Sequence, residues 1–116
     1  MRTIEIPRTA WVDELNEFTR THEGWLVSVD VLGPDIGAQR EVANLPLIGV
    51  SADRIDHGGA ITVSVARSTI VHLAHIIHAV TRIYVERTDE GADEALQIES
   101  GDGTRTILRF SRPGPA

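Results

Sequence analysis

The sequence predicts an α+β protein that is mainly antiparallel β. We expect one N-terminal helix, followed by five to seven strands in a strongly bent sheet or a small barrel. Apolar residues recur with helical spacing near the N-terminus, and they alternate with polar residues in most later segments. Turns containing Gly or Pro separate those segments. Because one helix covers only one face of a sheet, the sheet must curl up or bury its other face against a second copy.

The composition is that of one globular domain, which we place at residues 1–112, with a frayed tail at 113–116. The 116 residues are 41% hydrophobic and 24% charged, and 11 arginines against 17 acidic residues give a net charge of −6. The chain has neither lysine nor cysteine. These absences exclude disulfides, thiolate metal sites, Schiff-base catalysis and a P-loop. The acidic balance argues against nucleic acid as a partner.

The N-terminal region contains a short strand and then the helix. Residues 2–7 read as an edge strand or an extended lead-in, because they alternate weakly and end in Pro7. Residues 10–22 are predicted to be helical, with Thr9 as the N-cap and Gly24 as the residue that ends the helix with positive φ. The predicted buried stripe of this helix consists of Trp11, Leu15, Phe18 and His22.

After the helix the apolar period changes to two. Residues 25–31 form a half-buried strand, and residues 41–54 hold one or two strands with an edge or bulge at Pro46. The turn signal at 57–59 precedes an alternating strand over 61–65, so these segments should form a hairpin. A further strand covers 82–88. One helix and about five bent strands are also the layout of the Sm-like small barrels, a likeness of layout only.

The last hairpin is the best-defined element. Strands at 95–100 and 104–110 flank Gly101-Asp102-Gly103, and a three-residue loop with Gly103 in the left-handed conformation fits both strands. This register places Glu99 opposite Arg105 and Leu96 opposite Leu108. A two-residue turn would instead place Leu96 opposite Arg109.

Residues 68–81 allow two interpretations. As a helix capped by Ser68, the segment would gather Ile70, Leu73, Ala74 and Ile77 on one face. As a strand, it would place Leu73, His75 and Ile77 on one face and His72, Ala74, Ile76 and His78 on the other. Periodicity alone favours the helix.

Nearly the whole chain, from IPRTAW at 6–11 onward, resembles a bacterial family of unknown function, DUF5335. The resemblance is carried by GWLVSVDVLGPDIGAQ (24–39), NLPLIGVSADR (44–54) and TRIYVERTDEGADEALQIESGDGTRTILRF (81–110). Family members often carry Thr and Pro in the stretch matching 72–80, whereas this chain has Val80 where Pro is common. The resemblance implies a strand at 72–78. It implies no activity, cofactor or catalytic residue.

Polar side chains near predicted strand ends are the candidates for ligand binding. Asp35, Gln39 and Asp53 could line a small polar pocket, with Arg82 as a further candidate. The spacing of the acidic and hydroxyl residues singles out no catalytic set, and no cofactor motif occurs. The sequence therefore allows a small-molecule site without predicting its chemistry.

His72, His75 and His78 are weak candidates for metal binding. On a strand His72 and His78 share a face but lie roughly 20 Å apart, too far to chelate one ion. The acidic loop at 89–94 could attract Ca²⁺, but it lacks the order of an EF-hand loop. The expected metal content is none.

Arg105, Arg109 and Arg112 are weak candidates for an RNA-binding face. Aromatic residues make up only 4% of the chain, so few side chains could stack on bases. Pairing with carboxylates on neighbouring strands is the simpler interpretation.

The function expected from these observations is that of a non-enzymatic β-barrel interaction module. It would act through homo-oligomerisation or by docking to a protein partner, because Val71 and Ile76 are apolar and exposed in either interpretation of 68–81. No segment is apolar enough for a membrane span, and the N-terminus lacks the apolar core of a signal peptide. We therefore expect a cytoplasmic protein without a membrane partner.

Overall fold

Eight strands and one helix make up the part of the chain that the computed structural model describes, which is residues 2–35, 37–53, 59–89 and 93–112. The elements are β1 (Arg2–Ile6), a 3₁₀ turn (Arg8–Ala10), α1 (Trp11–His22), β2 (Leu26–Gly33), β3 (Gly37–Ala52), β4 (Ile61–Ala66), β5 (His72–Ile77), β6 (Val80–Arg87), β7 (Asp93–Ser100) and β8 (Arg105–Ser111). Residues 57–58 of the expected turn, residues 90–92 of the acidic loop and the tail at 113–116 lie outside these ranges. The α+β class is confirmed, with seven strands after the helix.

The eight strands form one antiparallel sheet in the order β1-β6-β7-β8-β2-β3-β4-β5. Within the described ranges β1 and β5 each pair on one side only, so the sheet is open. The strongly bent sheet is thus confirmed, and closure into a small Sm-like barrel is wrong. The bend occurs along the 16-residue strand β3, which pairs with β2 through its first part and with β4 through its second. Bulges in both pairings allow this strand to change direction.

The inside of the bend holds the core, and α1 lies against β3. Thr19 Oγ1 fixes this contact, because it donates to the Val50 carbonyl and accepts from the Val50 N–H, both at 2.9 Å. The predicted helix stripe is confirmed, since all four of its side chains are buried. Burying such side chains is the main source of stability for a domain of this size.

The helix begins later than expected. Thr9 lies inside the 3₁₀ turn, and the N-cap is Ala10, which makes no side-chain capping bond. The turn arises because the Ala10 N–H donates to the Pro7 carbonyl at 2.9 Å. The Trp11 indole N–H also donates to the Ile6 carbonyl at 3.0 Å, which ties the start of the helix to β1. Hydrogen bonds to residues just before the helix therefore fix its start, and no side chain caps it.

Segment 68–81 is a turn followed by strands, as the family resemblance implied and against the helical periodicity. Ser68 Oγ accepts from the backbone N–H groups of Ile70 and Val71, which closes a turn between β4 and β5. The helix interpretation grouped Ile70 with Ile77 on one apolar face, whereas the Ile70 side chain is 88% exposed and Ile77 is buried. Six consecutive pairings with β4, from Ala66↔His72 to Ile61↔Ile77, determine the strand.

The β7–β8 hairpin confirms the three-residue loop. Glu99 pairs with Arg105 and Leu96 with Leu108, and Gly103 has φ +89°. The Asp102 carboxylate accepts from the Thr104 N–H at 2.9 Å, which lowers the pKa of Asp102. The described residues contain no helix long and apolar enough to cross a bilayer.

Candidate functional site

The arginines proposed for RNA binding lie on the outer face of the sheet, beside groups that neutralise or cover them. Arg105 is 3.9 Å from a Glu99 carboxylate oxygen, and Arg109 is 3.8 Å from Asp30. The Arg112 guanidinium lies 5.4 Å from the centre of the Trp25 ring, a cation–π contact. Positive and negative side chains therefore lie next to each other on this face. RNA binding by these arginines stays a prediction.

Asp30 lies between two of the arginines on this face, Arg40 and Arg109. Arg40 donates to both of its carboxylate oxygens, at 2.7 and 3.0 Å, in the two-pronged geometry of strong arginine–carboxylate pairs. These hydrogen bonds, with the positive charges of Arg40 and Arg109, hold the pKa of Asp30 below its ordinary value of 3.8. The group therefore stabilises the fold when ionised.

Replacing Asp30 by asparagine is expected to make the melting temperature less sensitive to acid. A lowered pKa stabilises the fold above the ordinary carboxyl pKa, and this contribution is lost as pH falls through the folded-state value. The variant should therefore melt below the wild type at about pH 7, with a smaller difference at about pH 3. Thermal denaturation followed by circular dichroism checks this, with Asp35→Asn at an exposed turn as the control. An equal difference at both pH values would contradict it.

The candidate ligand-binding residues are spread over the sheet. Asp35 and Gln39 are exposed at the β2–β3 turn, whereas Asp53 follows the far end of β3, where its N–H donates to the Ala60 carbonyl. Arg82 lies on β6 and donates to the Tyr84 hydroxyl at 3.3 Å. The structure thus pairs only Asp35 with Gln39 in one region, and a ligand role for the four residues stays a prediction.

The three candidate metal-binding histidines follow β5. His72 and His75 point to opposite faces of the strand, and His78 follows its end. Among the residues that the structure describes, no three His, Asp or Glu side chains come close enough to hold a metal ion together. The histidines instead mark the strand that forms one edge of the sheet.

The two edges of the sheet differ in chemistry. The β1 edge carries exposed Arg2 and Glu5 and is followed by Pro7, and charges and proline are the usual means of blocking strand addition. β5 has the sequence HLAHII, with no Asp, Glu, Arg, Lys or Pro. One edge is therefore protected against pairing with another chain, and the other is not.

Exposed apolar side chains concentrate at β5 and the turn before it, a region that we call the β5 edge (residues 70–77). Of the five exposed large apolar residues in the described ranges, all but Leu32 belong to it: Ile70, Val71, Leu73 and Ile76. Ile76 is 51% exposed although it lies within β5 and pairs with Thr62 of β4. An apolar group of this kind at a free edge is typical of an interaction site.

An open cleft of about 190 Å³ adjoins the β5 edge on the inner face of the sheet. Its apolar wall consists of Val42, Val63, Val65 and Leu73, and Glu41 and His75 lie at its rim. A second cleft, of about 200 Å³, lies between the end of β5 and the strands β2 and β8, where Val31, Ile77 and Thr106 line it. Both clefts could take side chains from a strand added to this edge.

Sequence reasoning identified Val71 and Ile76 of this site but not Leu73 or Ile70. The helix interpretation placed these two residues on one face with Ala74 and Ile77. The missed signal was the absence of negative charge: none of the 17 acidic residues lies between residues 57 and 85.

The fold and its surface together define a small α+β protein whose single open antiparallel sheet has one protected edge and one apolar, uncharged edge. Residues 2–116 match the family of unknown function DUF5335, and the chain belongs to this family. It is also similar to an uncharacterised protein of Aquifex aeolicus (strain VF5), with 30% identity over 110 residues that cover 95% of this chain and 93% of the relative. No solved structure matches the chain.

Proposed function

We propose that this protein is a non-enzymatic interaction module that accepts a strand of another polypeptide along the β5 edge. The observation that carries the proposal is the contrast between the two edges. β1 has charged residues and a following proline, whereas β5 has neither. Natural sheets protect their free edges in solution, so an unprotected edge indicates a place where pairing is used.

The β5 edge offers the two elements of strand addition. The backbone N–H and C=O groups of β5 that point away from β4 can form a new ladder, which supplies affinity. Leu73 and the neighbouring cleft can receive alternate side chains of the added strand, which supplies specificity. Small-molecule binding has weaker support, because its candidate residues lie in separate regions of the sheet.

Selection from a random peptide library tests the proposal. The protein is immobilised at low density, so that neighbouring copies do not occupy each other's edges. We expect the selected peptides to alternate apolar and polar residues and to shift the backbone amide NMR signals of residues 70–77. The amides of β1 should not shift. Failure to recover any peptide, or shifts confined to another surface, would overturn the proposal.

A further inference from the structure

This inference rests on the proposed function of the β5 edge and names its occupant. We infer that the occupant is the β5 edge of a second copy, paired antiparallel across a two-fold axis through Ala74. The two sheets would then continue into one another. The inference follows from the charge of the chain, the geometry of two-fold strand pairing and the position of Ile70.

The β5 edge lacks the negative charge that would keep two copies apart. Two copies of a chain with a net charge of −6 repel each other, so a stable contact requires a surface without carboxylates. Both strands at this end of the sheet, ITVSVA in β4 and HLAHII in β5, lack charged residues other than histidine. Among the described residues, Glu41 is the one carboxylate that lines the cleft beside Leu73. A strongly charged partner would find little complementary charge here, whereas a second copy presents the same neutral strand.

The geometry of antiparallel pairing restricts the register of the two β5 strands. In an antiparallel pair, residues directly opposite each other share a face, so a two-fold axis must pass through a residue rather than between two. An axis through Ala74 places this small side chain opposite its own copy. It also places His72 opposite Ile76 on one face and Leu73 opposite His75 on the other. An axis through His75 would instead stack the imidazoles of His75 on one another, and it would place His72 opposite His78.

This register also covers exposed apolar residues of the β5 edge. Val71 of one copy lies opposite Ile77 of the other, and Ile70 lies opposite His78, beside the cleft lined by Val31 and Thr106. Ile70, the most exposed large apolar residue in the described ranges, is thereby brought next to the other copy, beside a cleft lined by polar as well as apolar side chains, Asp102 among them. In an isologous contact of this kind, the same surface is covered on both copies.

Sedimentation velocity of the wild-type protein, from about 1 to about 200 µM, tests the inference, because self-association depends on protomer concentration. We expect a monomer–dimer equilibrium across this range. Ile76→Glu should weaken dimerisation at least tenfold, because it places carboxylates on both sides of the axis. Leu32→Glu is the matched control: it makes the same kind of change at an exposed strand residue opposite Arg105, and it should leave dimerisation unchanged.

Single cysteines test the register independently of whether Ile76→Glu folds, since the chain has no cysteine of its own. Ala74→Cys should form a disulfide-linked dimer on mild oxidation, because only the residue on the axis meets its own copy. Leu32→Cys should form at least tenfold less disulfide-linked dimer than Ala74→Cys. His75→Cys should also form little disulfide-linked dimer. Preferential cross-linking through His75→Cys would overturn the proposed axis.

The outcomes separate this inference from the function on which it rests. A wild-type monomer at every concentration, or a dimer that is insensitive to Ile76→Glu and is not cross-linked through Ala74→Cys, would overturn the second copy as the occupant. Peptides that bind the β5 edge in that case would still support strand addition. A monomer that binds no peptide at this edge would overturn both.

Discussion

Alanine at Gly59 is expected to destabilise the protein by about 3–5 kcal/mol, the sum of backbone strain and overpacking. Gly59 has φ +66°, a conformation that disfavours side chains. A Cβ atom there would lie 2.7 Å from the Val80 carbonyl oxygen and 3.3 Å from the Val80 nitrogen. The clash is with backbone, so no side-chain rotation relieves it. The same site holds a hydrogen bond from the Val80 N–H to the Gly59 carbonyl, at 2.9 Å, next to the start of β6.

The control for this prediction is alanine at Gly24. This glycine also has positive φ, at +86°, but a Cβ atom there would have no neighbour within 4 Å. Only the backbone strain remains, so we expect a loss of about 1–2 kcal/mol. Urea denaturation gives both free energies of unfolding by linear extrapolation. Similar losses for the two variants would contradict the proposed clash at Gly59.

Alanine at His22 is expected to cost about 2–4 kcal/mol, the range for truncating a large buried side chain together with its aromatic contacts. His22 is 4% exposed, and its ring stacks on Phe18 with centroids 3.9 Å apart and an interplanar angle of 7°. Trp25 contacts it edge-on at 4.6 Å. Nδ1 lies 3.0 Å from the Phe18 carbonyl oxygen and 2.8 Å from Thr21 Oγ1. The ring therefore joins the end of the helix to the core.

Two further variants separate packing from hydrogen bonding at this position. His22→Phe keeps an aromatic ring but removes both ring nitrogens, so it should lose about 1 kcal/mol. Asn16→Ala, on the exposed face of the same helix, should change the free energy of unfolding by no more than about 0.5 kcal/mol. Urea denaturation of His22→Ala, His22→Phe and Asn16→Ala gives their free energies of unfolding and checks the expected order of the losses. A loss at His22→Ala no larger than that at Asn16→Ala would show that the stack contributes little.

Local signals in the sequence were enough for the elements whose stability is local. The helix stripe that ends at His22 and the register of the last hairpin, with Glu99 opposite Arg105, were both predicted correctly. A helix face and a tight turn are each determined by residues a few positions apart. The prediction of Thr9 as the N-cap was wrong, because hydrogen bonds to the Ile6 and Pro7 carbonyls determine where the helix begins.

Segment 68–81 shows why the candidate site was only partly predictable. Its apolar spacing fits a helix, and the pairings with β4 override that preference. β5 pairs with β4, the strand that precedes it in the chain, and whether the other side of β5 is covered depends on the strand order of the whole sheet. That order concerns residues far apart in the chain, about which periodicity says nothing.

The sequence by itself determined the α+β class, the helix stripe, the strand alternation and the family. It also carries the run from 57 to 85 without acidic residues on which the proposed dimer depends. Only the tertiary structure decided that the sheet is open, that β1 and β5 are its edges, and that the apolar side chains of β5 stay exposed. The physical reason is that side-chain patterns encode which face of a strand is buried, whereas strand order and closure depend on long-range backbone pairing and on the bulges that bend β3.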